Sequence, residues 1–145
     1  PYELTPEQQA VIAAVKTGDI AAVRAGLDAG IDPNLRKSRT RGELLVLAFE
    51  GGHFEIARLL LSRGARTNVN IWFTNSYERG MGPDYAVPAV VVAMKRGDEW
   101  LKLFLDHGAD PNGPGAWRGT LLTEAASEGL QSAVALLLSR GADIN

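Results

Sequence analysis

The chain contains no cysteine. A disulfide framework and thiol chemistry are therefore excluded, and a zinc site would have to be built without its commonest structural ligand. The absence agrees with a reducing cytoplasm, which it slightly favours, and it is equally compatible with an oxidising compartment. No apolar run approaches the roughly 18 residues that a membrane-spanning helix requires. Charge of one sign is also lacking: the formal net charge is -2, which gives no global drive toward nucleic acid or an anionic membrane. The sequence starts at Pro1 without an initiator Met, which leaves room for a removed targeting segment.

The chemistry of catalysis is sparse as well. The chain has two histidines, His53 and His107, neither with a metal-ligating partner at helical spacing. Serines and aspartates are scattered without a nucleophile motif, and Gly80-Met81-Gly82 lacks the spacing of a dinucleotide loop. No catalytic residue, metal or cofactor is expected, and the chain is read as a non-enzyme. What remains is ordinary for one folded domain: 145 residues, 46% hydrophobic and 22% charged.

What the chain does have is repetition. Leu59-Leu60-Leu61-Ser62-Arg63-Gly64-Ala65 recurs letter for letter as Leu136-Leu137-Leu138-Ser139-Arg140-Gly141-Ala142. Degenerate copies end at Gly30 and Gly108, and each copy runs on to an Asn, at Asn34, Asn68, Asn112 and Asn145. The terminal glycines Gly30, Gly64, Gly108 and Gly141 lie 34, 44 and 33 residues apart, so one unit is longer than the rest. Leu130, Ala133, Val134, Leu137 and Leu138 form one apolar stripe at helical spacing, with Ile56, Leu59 and Leu60 and Leu101, Phe104 and Leu105 as counterparts. Each second helix stops at a glycine placed for a left-handed residue. Shorter first helices are expected over 6–17, 44–51, 89–96 and 121–128, the first opened by Thr5-Pro6-Glu7-Gln8 as a near capping box.

From Gly52-His53-Phe54-Glu55-Ile56-Ala57 onward to Asn68, and again from Gly129 to Asn145, the sequence resembles the second half of an ankyrin repeat. The resemblance covers four units, about 5–34, 35–68, 69–112 and 113–145, as a single domain. It implies an all-α solenoid of stacked helix-turn-helix units with projecting hairpin-like loops. Where that family typically has Thr-Pro-Leu-His, this chain has Gln9-Ala10-Val11-Ile12, Glu43-Leu44-Leu45-Val46, Pro88-Ala89-Val90-Val91 and Thr120-Leu121-Leu122-Thr123, so the His is missing throughout. His53 stands where the family often has Gly-His. The polar residues of the last unit, such as Thr123, Gln131 and Ser132, read as a solvent-facing cap, against the alternative of a cut from a longer array.

Function is sought in the departures from the repeat. The first is the long loop 69–87, which carries Trp72, Phe73, Tyr77, Arg79 and Tyr85. Aromatics and Arg anchor interfaces, and long loops in compact domains are functional or disordered. An ordered, partner-contacting finger is expected, the alternative being aromatics folded back for local packing. The second is Arg36-Lys37-Ser38-Arg39-Thr40-Arg41, whose Arg36, Arg39 and Arg41 suit an acidic protein surface better than nucleic acid. The third is Trp100 with Leu103; aligning Gly97 with Gly52 places both on an outer face, as a second contact or a self-association patch, or else on a rotated, buried helix. Repeat geometry further puts Lys95 and Arg96, at the end of a first helix, beside the long loop.

The resulting expectation is a protein-protein interaction module binding another folded protein through its finger loops and concave face, one form being an inhibitor or immunity-type protein of a partner enzyme. A small-molecule or anion-binding repeat domain and a self-associating scaffold are the alternatives.

Overall fold

Every second helix is measured back from its terminal glycine. Helices α2 (Ile20–Asp28), α4 (Phe54–Ser62), α6 (Asp98–Asp106) and α8 (Gln131–Ser139) each have nine residues and stop two residues short of Gly30, Gly64, Gly108 and Gly141. Those glycines take φ of +102°, +97°, +95° and +89°. The left-handed turn lets the next N–H reach back into the helix: Ala65 N donates to Leu60 O at 3.0 Å, and Ala142 N to Leu137 O at 3.0 Å. This is the Schellman closure, which satisfies carbonyls that a helix end otherwise leaves open.

The computed structural model describes residues 2–39, 41–73, 84–116 and 119–144. The first helices are α1 (Pro6–Thr17), α3 (Leu44–Glu50), α5 (Ala89–Arg96) and α7 (Leu121–Ser127). Thr5 closes the expected capping box on α1, accepting from Gln8 N at 3.2 Å while Thr5 N donates to Gln8 Oε1 at 2.9 Å. Thr120 and Thr123 form the same reciprocal pair at α7. The expected all-α fold gains one element: β1 (Asn70–Phe73) pairs antiparallel with β2 (Tyr85–Pro88).

The backbone groups into two compact units, Pro1–Arg66 and Thr67–Asn145. In the first, α1 packs on α2 and α3, and α4 on α2 and α3. Its apolar stripes meet in Val15, Val23, Leu44, Leu45, Phe49 and Leu60, all fully buried. In the second, α5 packs on α6 and α7 on α8, α6 also packs on α8, and both strands lie against α5. Val91, Leu101, Phe104, Leu121 and Leu137 are fully buried there. Nine-residue helices are too short to hold in water alone, so this burial carries their stability.

Within each unit the same two devices join one repeat to the next. Asn34 accepts from Arg66 N at 2.8 Å and donates to Gly64 O at 3.2 Å, while Asp32 turns the chain by accepting from Asn34 N at 2.8 Å. Asn112 does the same with Asp143 N at 2.7 Å and Gly141 O at 3.5 Å, its own N–H held by Asp110. Alongside run the ion pairs Arg63–Asp28 at 2.8 Å and Arg140–Asp106 at 2.5 Å.

Trp100 and Leu103 do not form an exposed patch. Their exposures are 9% and 5%, both within the core. The alignment of Gly97 with Gly52 is the cause. Three residues separate α3 from α4, whereas Gly97 alone separates α5 from α6. Gly52 is left-handed at φ +71°, while Gly97 is extended at φ 159°, ψ 162°. Counted from the terminal glycines, Trp100 is the counterpart of Ile56, itself buried, and Leu103 that of Leu59. The outer contact and the self-association patch built on these two residues are thereby withdrawn. Truncating a buried Trp leaves a large cavity, so Trp100→Ala should cost about 3–5 kcal/mol. Its neighbour Glu99 is exposed, and Glu99→Ala should leave the midpoint of chemical denaturation nearly unchanged. Equal midpoints for the two variants would contradict the corrected frame.

Candidate functional site

The long loop enters and leaves through the two strands. Their register is Asn70↔Pro88, Ile71↔Val87, Trp72↔Ala86 and Phe73↔Tyr85. Because side chains alternate along a strand, Ile71 and Val87 share a face with Phe73 and Tyr85, and Trp72 stands on the other. Ile71 and Val87 are buried and anchor the stem. One step outward, Phe73 and Tyr85 stack across the strands with ring centroids 5.3 Å apart and planes 18° apart. These two rings stay 37% and 36% exposed, and Trp72 is 40% exposed. The backbone is fixed at its base by Ala89 N donating to Val69 O at 2.8 Å. The stem is thus an ordered hairpin that presents aromatic surface on both faces. Tyr77 and Arg79 lie outside the described residues.

The basic finger is also a hairpin. Lys37 N donates to Gly42 O at 2.8 Å and Ser38 N to Arg41 O at 3.0 Å, below a bridge between Arg36 and Glu43. Gly42 is left-handed at φ +84°, and a Cβ there would meet Lys37 Cβ at 2.8 Å, so the turn needs a glycine at that position. Arg36 pairs with Glu43 at 3.5 Å, and its carbonyl accepts from the Tyr2 hydroxyl at 2.7 Å. Arg39 is exposed, and Arg41 is half-buried.

Lys95 and Arg96 are each committed within the chain. Lys95 Nζ reaches Glu128 at 2.7 Å and Glu124 at 2.9 Å, which pins the end of α5 to α7. Glu124 in turn accepts from Ala116 N at 2.6 Å, so one carboxylate holds a helix lysine and the loop before α7 together. The Glu128 and Glu124 carboxylates raise the Lys95 ammonium above the usual lysine range. Burial pushes the Glu124 carboxyl up, but the Ala116 N–H and the Lys95 charge outweigh it, and the net shift is downward. The Arg96 guanidinium sits 5.4 Å from the Trp100 ring centroid, a cation–π arrangement. Sequence reasoning placed both residues beside the hairpin, and missed Glu124, Glu128 and Trp100 as their partners. Helical spacing from Glu124 to Glu128 was the available signal.

The histidines have structural contacts. His53 Nε2 lies 3.1 Å from Lys16 O, and His107 Nδ1 lies 2.9 Å from Leu103 O. Among the described residues, no group of three His, Cys, Asp or Glu stands arranged to hold a metal, and no helix is long and apolar enough to cross a membrane.

No family model matches the chain. Over 133 residues, 91% of its length, the chain is 32% identical to a protein of Treponema pallidum (strain Nichols) described as ankyrin repeat-containing. The chain spans 41% of that relative's length.

The Glu124 strap generates a test with a definite sign. Its folded pKa is depressed, so its contribution to stability is complete above the unfolded value of 4.5 and is lost as pH falls through the lower folded value. Lys95 is raised, so its contribution is complete below 10.5 and is lost as pH climbs through the higher folded value. Glu124→Gln should cost about 1–3 kcal/mol near neutral pH, the penalty for breaking a charged hydrogen bond that is largely shielded. Denaturant titrations should show the gap between variant and parent closing on acidification below pH 4.5; a gap constant down to strongly acidic pH would contradict the strap.

Proposed function

Because the chain is built of ankyrin repeats, we propose that it is a non-catalytic module that binds another folded protein, with the hairpin of the third repeat as the principal contact. The observation that carries this reading is the hairpin itself. Exposed aromatics, Trp72 on one face and the stacked Phe73 and Tyr85 on the other, stand on an anchored two-stranded stem, at the one place where the repeat period stretches. Trp and Tyr bury large areas at low entropic cost, and a pre-ordered stem leaves little chain entropy to lose on association. Tyr77 and Arg79 belong to the same loop and extend the contact in this reading. Lys95 and Arg96 act here chiefly by fixing α5, on which the strands rest.

The finger bearing Arg36, Arg39 and Arg41 supplies a second, basic contact, and blocking a partner enzyme is one form the activity takes.

Two variants test the proposal against a partner recovered with the intact chain. Trp72→Ala should weaken binding by about 2 kcal/mol, roughly thirtyfold in Kd, the scale of an interface anchor. Replacing residues 71–85 by a plain turn should abolish it while far-ultraviolet circular dichroism keeps its helical signal. Unchanged affinity in the shortened chain would remove the hairpin from the interface. Retained binding in Trp72→Ala alone would move the anchor to Phe73 and Tyr85.

A further inference from the structure

Asn34 and Asn112 clasp the following repeat in the same way and differ in the residue that comes next. Asn34 is followed by Leu35 and Asn112 by Gly113, the sole Asn-Gly pair in the sequence. In both places the next backbone nitrogen turns back on the Asp of the turn: Leu35 N donates to Asp32 O and Gly113 N to Asp110 O, each at 2.9 Å. The turn itself does not call for a glycine. Gly113 takes no positive φ, and the first unit buries Leu35 at the same station. What the glycine removes is the side chain that would shield its own nitrogen from the amide carbon of Asn112.

We propose that Asn112 is a site of spontaneous deamidation, held in check by the docking of the last repeat. The Gly113 nitrogen, giving up its proton, bonds to Cγ of Asn112 while the Cγ–Nδ2 bond breaks and ammonia leaves. The cyclic imide then takes up water. Cleavage of its N–Cγ bond yields aspartate, and cleavage at the backbone carbonyl yields isoaspartate, with the main chain rerouted through the side chain. In the folded chain both reactants are engaged. The Gly113 N–H is bonded to Asp110 O, and the Asn112 amide is clasped by Asp143 N at 2.7 Å and Gly141 O at 3.5 Å. Reaction therefore requires the clasp to open, which means local release of the segment after α8. Asn112 is exposed, so water reaches the imide once it forms. The products do not restore the clasp. An aspartate at 112 still accepts from Asp143 N but has no N–H for Gly141 O. Its charge also faces the Asp110 carboxylate, which accepts from its backbone N–H at 2.8 Å. Isoaspartate lengthens the main chain by a carbon inside the same turn. Either product leaves the junction of the third and fourth repeats looser than before, so an opening of that junction is recorded covalently.

The test incubates the intact chain at mildly alkaline pH, in buffer and in guanidinium chloride, and follows each asparagine by peptide mapping with mass spectrometry. In denaturant Asn112 should convert before any other asparagine, and Gly113→Ala should slow it about tenfold. In buffer the parent should convert at least about tenfold more slowly than in denaturant. Leu137→Ala, which empties the core beneath α8, should raise the rate in buffer about tenfold, and Val23→Ala in the first unit should raise it far less. Asn112→Asp, a copy of one product, should lower the Tm by about 2–4 °C. Earlier conversion of another asparagine in denaturant, or no slowing in Gly113→Ala, would overturn the site. Equal rates in buffer and denaturant, or equal acceleration by the two core variants, would overturn the control by the last repeat. An unchanged Tm in Asn112→Asp would overturn the loosening. No partner enters these readouts, so they stand or fall apart from the role of the hairpin.

Discussion

The left-handed glycine that ends each second helix is the constraint on which the rest depends. It stops a nine-residue helix at a fixed point, sends the chain sideways, and so sets where the next finger starts. The Asn clamp sits four residues beyond Gly30 and again beyond Gly108, and can reach the following repeat only because the turn before it is fixed. The apolar stripes provide most of the stabilisation. The glycines provide the frame in which those stripes meet.

The frame also explains the duplicated heptad. Its two copies start at Leu59 and Leu136, 77 residues apart, which is two repeats and the insertion rather than one repeat. The repeats that carry it follow repeats whose second helices end in Asp28 and Asp106, and its Arg is the residue that pairs with each Asp. Those ion pairs are exposed, and such pairs contribute about 0–1 kcal/mol each. Their effect is to fix register within a pair more than to add stability. The chain is thus written as two pairs of repeats, each with its own Asn clamp and its own Arg–Asp bridge. The compact units follow the same division.

Most of the helical fold was legible from spacing alone, because a second helix needs only an apolar stripe and a terminal glycine. The error at Trp100 was legible too. From Gly52 to Gly97 is 45 residues, but from Gly64 to Gly108 is 44, so the stretch from midpoint glycine to terminal glycine is one residue shorter in the third repeat. Using the midpoint glycine as the ruler turned a core Trp outward. The hairpin register was not legible: Asn70 to Phe73 lacks a clean alternation of apolar and polar residues, and Trp72 and Phe73 alone cannot say which faces inward. Glu124 was hidden for a different reason. Its partners Lys95 and Ala116 come from two other elements, and only tertiary packing brings them to one carboxylate.

A similar distinction separates the chain's cations by role. Lys95, Arg63 and Arg140 each meet a carboxylate across a repeat junction, and Arg36 meets one within its own hairpin. A basic residue satisfied in this way has already offset part of its desolvation and is poorly placed to gain more from a partner. The sequence presents Arg36 and Lys37 as one basic run, yet the hairpin register sends them to opposite faces, and Arg36 is drawn to Glu43. Where cations are paired in this way, the length of a basic run overstates the charge it has to offer a partner, because part of that charge is already spent on a carboxylate of the same chain.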